Sequence, residues 1–337
     1  MATIVGGLAC SHGPLLSVPP GLWHLRAGAD RASAAHWFRG RLHDYPSLLA
    51  ERAPGFAAQI QPEAQLQAYA RCQQALDVLA GVFERLAADA VVIVGNDQRE
   101  LFQEDFTPGV LVCTAEQLEN VPMDAEQRAR LPPGIAESEH GHCPPDGAVY
   151  PGLADGARGL AGLLCDKGFD VATSARLPRG RPRREGVPHA FGFIYRRILR
   201  DRPPPSIPLF VNVGVEPNQI RVPRALALGH ALAESIAALP LAARVVVVAS
   251  GGLSHFVVDE DFDRRVLGAL APFDAAALQS LPESWLQGNS AEIKSWLVLA
   301  AAMHEAGLPL VHCEYQPCYR TEAGTGSGMG FAAWARS

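Results

Sequence analysis

The chain has 337 residues, 48% of them hydrophobic and 19% charged, with a formal net charge of -6. That length can bury a full core as one large domain or two close-packed lobes. The negative balance argues against a nucleic-acid binder, which needs a basic face. The one basic cluster, Arg176 to Arg184, is broken by prolines and reads as a solvated loop. Seven cysteines without a CxxC spacing read as reduced thiols of a cytoplasmic protein. The opening MATIVGGLACSHGPLL has neither a basic n-region nor an 18-residue apolar run, so no signal peptide or membrane span is expected.

In chain order, Ile4 to Leu8 is the first short apolar run that suits a strand covered on both faces. Residues 20 to 60 follow as a mixed insertion rich in Trp, His and Arg. A helix is predicted over Glu63 to Ala88, then strands over Val91 to Val94 and Val110 to Val112. Residues 115 to 152 form a long connection containing His140 and His142; ordered loops of this length often wall a substrate site. Helices over Gly156 to Lys167 and Phe191 to Leu199 precede a strand at Leu209 to Val213 and a helix at Pro223 to Ala238. The strand Val245 to Ala249 comes next, then helices over Glu260 to Leu270 and Ser290 to Ala306. This alternation predicts an α/β fold with a central, mostly parallel or mixed sheet flanked by helices. Residues 1 to 337 read as a single domain with long active-site loops at the two insertions.

Three predicted strands end abruptly in small residues and then present polar ones, at the carboxyl ends where open α/β sheets place ligands. The segments are Cys10-Ser11-His12-Gly13-Pro14, Gly95-Asn96-Asp97-Gln98 and Ser250-Gly251-Gly252-Leu253-Ser254-His255. A loop histidine alone is often merely hydrogen-bonded; His12 and His255 in the same situation on two strands point to a shared site. Ser290 is a plausible N-cap, placing Glu292 in a first helical turn where a carboxylate favours the positive helix end. Cys10 reads as a small buried hydrophobe. His36 and His43, with Trp37 between, read as surface or wall residues; His230, His304 and His312 read as structural. The Gly324 to Gly330 run is GxGxGxG and opens no βαβ unit, which excludes a dinucleotide fingerprint.

The stretches SHGPLL (His12), VIVGNDQ (Gln98), HAFGFIYRRI (from His189), SGGLSHF (His255) and SAEIKSWL (Glu292) together resemble the class III extradiol ring-cleavage dioxygenases, the LigB-like superfamily. They occur in the family's order across nearly the whole chain. The closing Tyr319-Arg320-Thr321 and GTGSGMGFAAW are similar to the single-chain branch related to 3-O-methylgallate dioxygenase. The resemblance implies a non-heme Fe(II) site and a small aromatic acid substrate opened with O2, in the catabolism of lignin-derived aromatics. His12 and Glu292 match metal ligands. His255 matches the acid/base beside the metal, and His189 a second catalytic or substrate-binding histidine. A cytoplasmic homodimer without membrane or nucleic-acid partners is expected.

One position departs from the family: Gln98 stands where a second histidine ligand usually falls. Gln98 binds the metal through its carbonyl oxygen, or His24, His140 or His142 fills the place, or the metal site is degenerate. Two other functions therefore stay open. One is a different metal-dependent reaction, for example with zinc, and the other is a non-catalytic binding protein on the same scaffold.

Overall fold

In the computed structural model, which describes residues 1–336, all five predicted strand runs form strands, with ends shifted by up to three residues. The strands are β1 (Thr3–Cys10), β2 (His36–Phe38), β3 (Arg41–His43), β4 (Ala90–Gly95), β5 (Val110–Cys113), β6 (Gln117–Asn120) and β7 (Ala148–Pro151). They continue with β8 (Val171–Ser174), β9 (Ser206–Val211), β10 (Arg244–Ser250), β11 (His255–Val257), β12 (Leu310–Tyr319) and β13 (Thr325–Ala335). Nine of them build one sheet in the order β11-β13-β1-β10-β4-β9-β5-β8, with β12 also paired to β13. β1, β10, β4 and β9 run parallel, as do β5 and β8. β13 is antiparallel to β1, β11 and β12, and β5 is antiparallel to β9. The sheet is therefore mixed.

Alternate side chains of the central strands feed two cores. Val92, Val94, Val245 and Val247 face one, with the helices Ala154–Asp166, Val222–Ala238 and Ile293–Glu305. Val91, Ile93, Val246 and Val248 face the other, with the helix Pro62–Leu86 and the segment from His189 to Ile198. Burying both faces explains why these runs are continuously apolar. Two helices on the first face cross so closely that a Cβ on Gly229 would lie 2.2 Å from the Val298 carbonyl oxygen.

The differences from expectation are local. The predicted helix Phe191 to Leu199 is a short α-helix, His189–Phe193, followed by a π-turn, Ile194–Ile198. Ser290 does not cap a helix: its hydroxyl donates to the His255 carbonyl and accepts the His255 N–H, both at 3.0 Å. His36 is buried, bonded through Nε2 to the Asp30 carbonyl at 2.9 Å, although Trp37 beside it is exposed. The basic run is not wholly solvated, since Arg184 is buried. The 115–152 insertion carries the β6–β7 hairpin. Among the described residues no helix is long and apolar enough to cross a membrane.

Candidate active site

Four segments converge at the carboxyl ends of β1, β4 and β10. His12 follows β1, Gln98 follows β4, and the Ser250–His255 turn joins β10 to β11. Glu292 closes the 3-10 turn Gly288–Glu292 that leads into the helix Ile293–Glu305. The glycines of the turn are dictated by proximity. A Cβ on Gly251 would lie 3.1 Å from the Glu292 Cβ, and one on Gly252 would lie 2.5 Å from His255 Cε1.

Hydrogen bonding assigns the tautomers of both histidines. His255 Nδ1 lies 2.7 Å from the Leu253 carbonyl, which only accepts, so Nδ1 carries the proton. The Ser250 hydroxyl donates its one proton to the Ala190 carbonyl at 2.6 Å, so it accepts from His12 Nδ1 at 2.9 Å. Burial keeps both imidazoles below their ordinary pKa and neutral; at His12 the nearby His189 charge adds to this. Each ring therefore turns an Nε2 lone pair toward Glu292, and each Nε2 lies 3.6 Å from the same oxygen, Oε2. The Glu292 carboxylate is 1% exposed and accepts the Gly252 N–H at 2.8 Å.

Gln98 completes the group. Its carboxamide contacts Glu292 Oε1 and lies 3.4 Å from His12 Nε2. Gln98 and Arg99 have φ of 52° and 58°, in the left-handed region that side-chain-bearing residues seldom adopt. The Asp97 carboxylate holds this turn by accepting the N–H groups of Leu101 and Phe102.

Two neutral lone pairs facing one carboxylate oxygen repel it unless a positive charge lies between them. A shared proton does not fit, because 3.6 Å exceeds the reach of an N–H···O bond. A cation held by nitrogen and oxygen donors fits the set. Among the described residues no three His, Cys, Asp or Glu side chains close into a metal-binding group by themselves. The Gln98 amide faces His12 and Glu292 with its nitrogen; turned about, it would add an oxygen donor to that pair.

His189 stands beside this group, its ring centroid 4.9 Å from that of His12. Its Nδ1 lies 2.7 Å from Glu100 Oε1, and its N–H donates to Glu100 Oε2 at 2.9 Å. Burial alone would lower His189, but the Glu100 carboxylate outweighs it and raises the imidazole above its ordinary value. Burial would raise Glu100, yet the His189 charge holds it at about 2. Glu100 is a site residue that sequence reading missed; its only signal is its place two residues beyond Gln98.

His12, Gln98, Glu100, His189 and His255 line one cavity of 610 Å³, together with apolar walls that include Pro14, Met123, Phe193 and Phe256. Of the three alternative histidines, His142 lines the same cavity, with its ring 5.9 Å from that of His189. His24 and His140 are exposed and bond to the local carbonyls of Gly21 and Glu137. Cys10 is fully buried.

No family model matches the chain. A segment of 98 residues, 28% of this chain, is 37% identical to 2,3-dihydroxyphenylpropionate/2,3-dihydroxicinnamic acid 1,2-dioxygenase of Comamonas testosteroni, and spans 27% of that protein's length. Among solved structures, an uncharacterized protein of Escherichia coli K12 aligns with a TM-score of 0.49 at 14% identity, over 97% of this chain and 99% of that one. The chain is thus similar, over roughly a quarter of its length, to an extradiol dioxygenase.

Proposed function

We propose that this chain is an extradiol-type ring-opening dioxygenase acting on a catecholic or methoxylated aromatic acid at a non-heme Fe(II) centre. The observation that carries this reading is the pair of Nε2 lone pairs, from His12 and His255, aimed at one buried oxygen of Glu292. The 98-residue likeness to an extradiol dioxygenase supports the same class. Gallate, O-methylgallate and protocatechuate-like acids are the substrates proposed, the first two on the resemblance of the closing segment from Tyr319 to the branch related to 3-O-methylgallate dioxygenase. A cytoplasmic homodimer belongs to the same proposal.

His12, Glu292 and the Gln98 amide oxygen would hold the iron, which supplies the centre at which a chelating catechol and O2 meet. The chain's own groups handle protons and position. His255, which lines the cavity beside Glu292, offers an unprotonated Nε2 that would take the proton of a catechol hydroxyl and return it later. His189, its Nδ1 engaged by Glu100, lines the cavity, where its charge would steady negative charge on an oxygen of the substrate. Phe193, Phe256 and Pro14 give the ring apolar walls that exclude water.

The donor set also suits Zn(II), which gives a second reading as a zinc-dependent enzyme. Anaerobic reconstitution with Fe(II), metal analysis and an oxygen-electrode screen of catechols and gallates test the proposal. Iron near one per chain with O2 uptake is the expected result. Zinc retained without O2 uptake favours the second reading, and failure to bind any metal points to a binding protein.

A further inference from the structure

The proline-broken basic run ends in a residue whose setting is unusual for a cation. Arg184 is 1% exposed and lines the cavity. Its Nε donates to the Val187 carbonyl at 2.6 Å and its Nη2 to Asn120 Oδ1 at 2.8 Å, both neutral acceptors. A guanidinium stays charged at any ordinary pH, and buried charges are normally paired. Among the described residues no carboxylate forms an ion pair with Arg184, and Glu100, which lines the same cavity, is already paired with His189. The Cys143 thiol, a further neutral group, also lies within hydrogen-bonding reach of the guanidinium.

The cavity orders its groups. The rings of His12, His189 and His142 follow one another at 4.9 and 5.9 Å. Through Asn120, Arg184 is tied to the backbone of His142, the histidine of this series farthest along from His12. His142 is buried and neutral there, so one of its ring nitrogens can also donate. Asn120 fixes the corner, accepting from Arg184 while donating to the His142 carbonyl at 2.8 Å. Between the two ends lie apolar walls sized for an aromatic ring.

We propose that Arg184, aided by His142, anchors a carboxylate of the substrate, so that the cavity selects anionic aromatic acids over their neutral analogues. This rests on the aromatic-acid reading of the cavity but not on ring cleavage. The missing counter-ion of the guanidinium is then the ligand's own charge, held by the fork geometry that arginine offers a carboxylate.

Calorimetry on the metal-free, full-length protein tests the proposal with hydroxyl-free probes: 3-phenylpropionate and benzoate against their primary amides. The acids are expected to bind about tenfold tighter or more, as a charge-assisted hydrogen bond allows. Arg184→Met should abolish that preference, and Arg184→Lys, which keeps a charge but loses the fork, should narrow it severalfold. Arg183→Met, at an exposed position on the rim, should leave it intact. If the Met variant does not fold, as circular dichroism will show, the Lys variant carries the comparison. Acids that bind no better than amides, or a preference undiminished in a folded Arg184 variant, overturn the assignment. Absence of O2 uptake with the preference intact would instead remove only the dioxygenase reading.

Discussion

Removing the imidazole of His12 or the carboxylate of Glu292 takes away a donor that no neighbour can replace, because both are buried and fixed by their own partners. His12→Ala and Glu292→Ala are each expected to lose bound iron and activity together; full iron stoichiometry by metal analysis in either variant would remove that residue from the ligand set. Gln98→His should be tolerated and hold iron at least as tightly. Imidazole is the better Fe(II) donor, and histidine is among the residues that accept a left-handed φ. His255→Gln separates roles: metal content should stay near wild type while turnover falls by roughly two to four orders of magnitude. Loss of iron in that variant would make His255 a ligand, which its 3.6 Å distance to Glu292, equal to that of His12, makes a sharp question.

Glu100→Gln gives a pH-dependent test. Glu100 is held at about 2, below its ordinary 4.5, so its share of stability is present above pH 4.5 and lost as pH falls toward 2. His189 is raised above its ordinary 6.5, so its share is complete below pH 6.5 and lost as pH rises through the raised value. The stability gap between wild type and variant, about 2 kcal/mol for a charge-assisted bond, should therefore peak between pH 4.5 and 6.5. Denaturant midpoints across that range would show it; a gap that does not vary with pH would mean the pair is not ionised. His12, Gln98 and His255 were legible in the sequence because each follows an apolar run that stops in small residues. Glu100 and Arg184 were not. One sits in a turn without a pattern, and the other lies inside a basic run whose composition suggests solvent.

At the level of elements, legibility followed apolar continuity. β4 and β10 are unbroken valine-rich runs, and their limits could be read closely. β13 could not, because Gly326, Gly328 and Gly330 depress strand propensity, which tertiary contact then overrides. A Cβ on Gly328 would meet Asp263 Oδ2 at 2.1 Å, and one on Gly330 would meet Trp296 at 2.8 Å. These glycines mark close approach, not turns. The same logic holds at Gly229, where the helix Val222–Ala238 crosses the helix that begins just after Glu292. Gly229→Ala should push the two apart and destabilise the fold by about 1–3 kcal/mol. Denaturant unfolding will measure this, and an unchanged midpoint would mean the crossing is looser than its 2.2 Å clearance indicates.

Across the whole molecule, His12, Gln98 and Glu292 come from three distant stretches of chain, and one bound ion would tie them. Metal bound only by the folded state adds stability by mass action, about 2.7 kcal/mol at one hundred times its Kd. Chelation should therefore lower the thermal midpoint and Fe(II) should restore it. An equal midpoint with and without metal would sink the proposed centre. The mixed sheet itself was legible as a class from the alternation of strands and helices. The antiparallel flank formed by β11, β12 and β13 was not, since partner choice over such separations is decided by packing.

That flank has a bearing on how the protein is made. β1 leaves the ribosome well before its two sheet neighbours, β10 and β13, which begin at Arg244 and Thr325. At about 5–20 residues per second, more than 230 residues of synthesis leave β1 with both edges bare for roughly 10 to 50 s. An apolar strand in that condition is a template for the wrong partner. Nascent chains of this protein should therefore depend on a holding chaperone until β10 emerges, and the histidine carried just beyond β1 waits with it, unable to meet Glu292 until the turn Gly288–Glu292 has been translated.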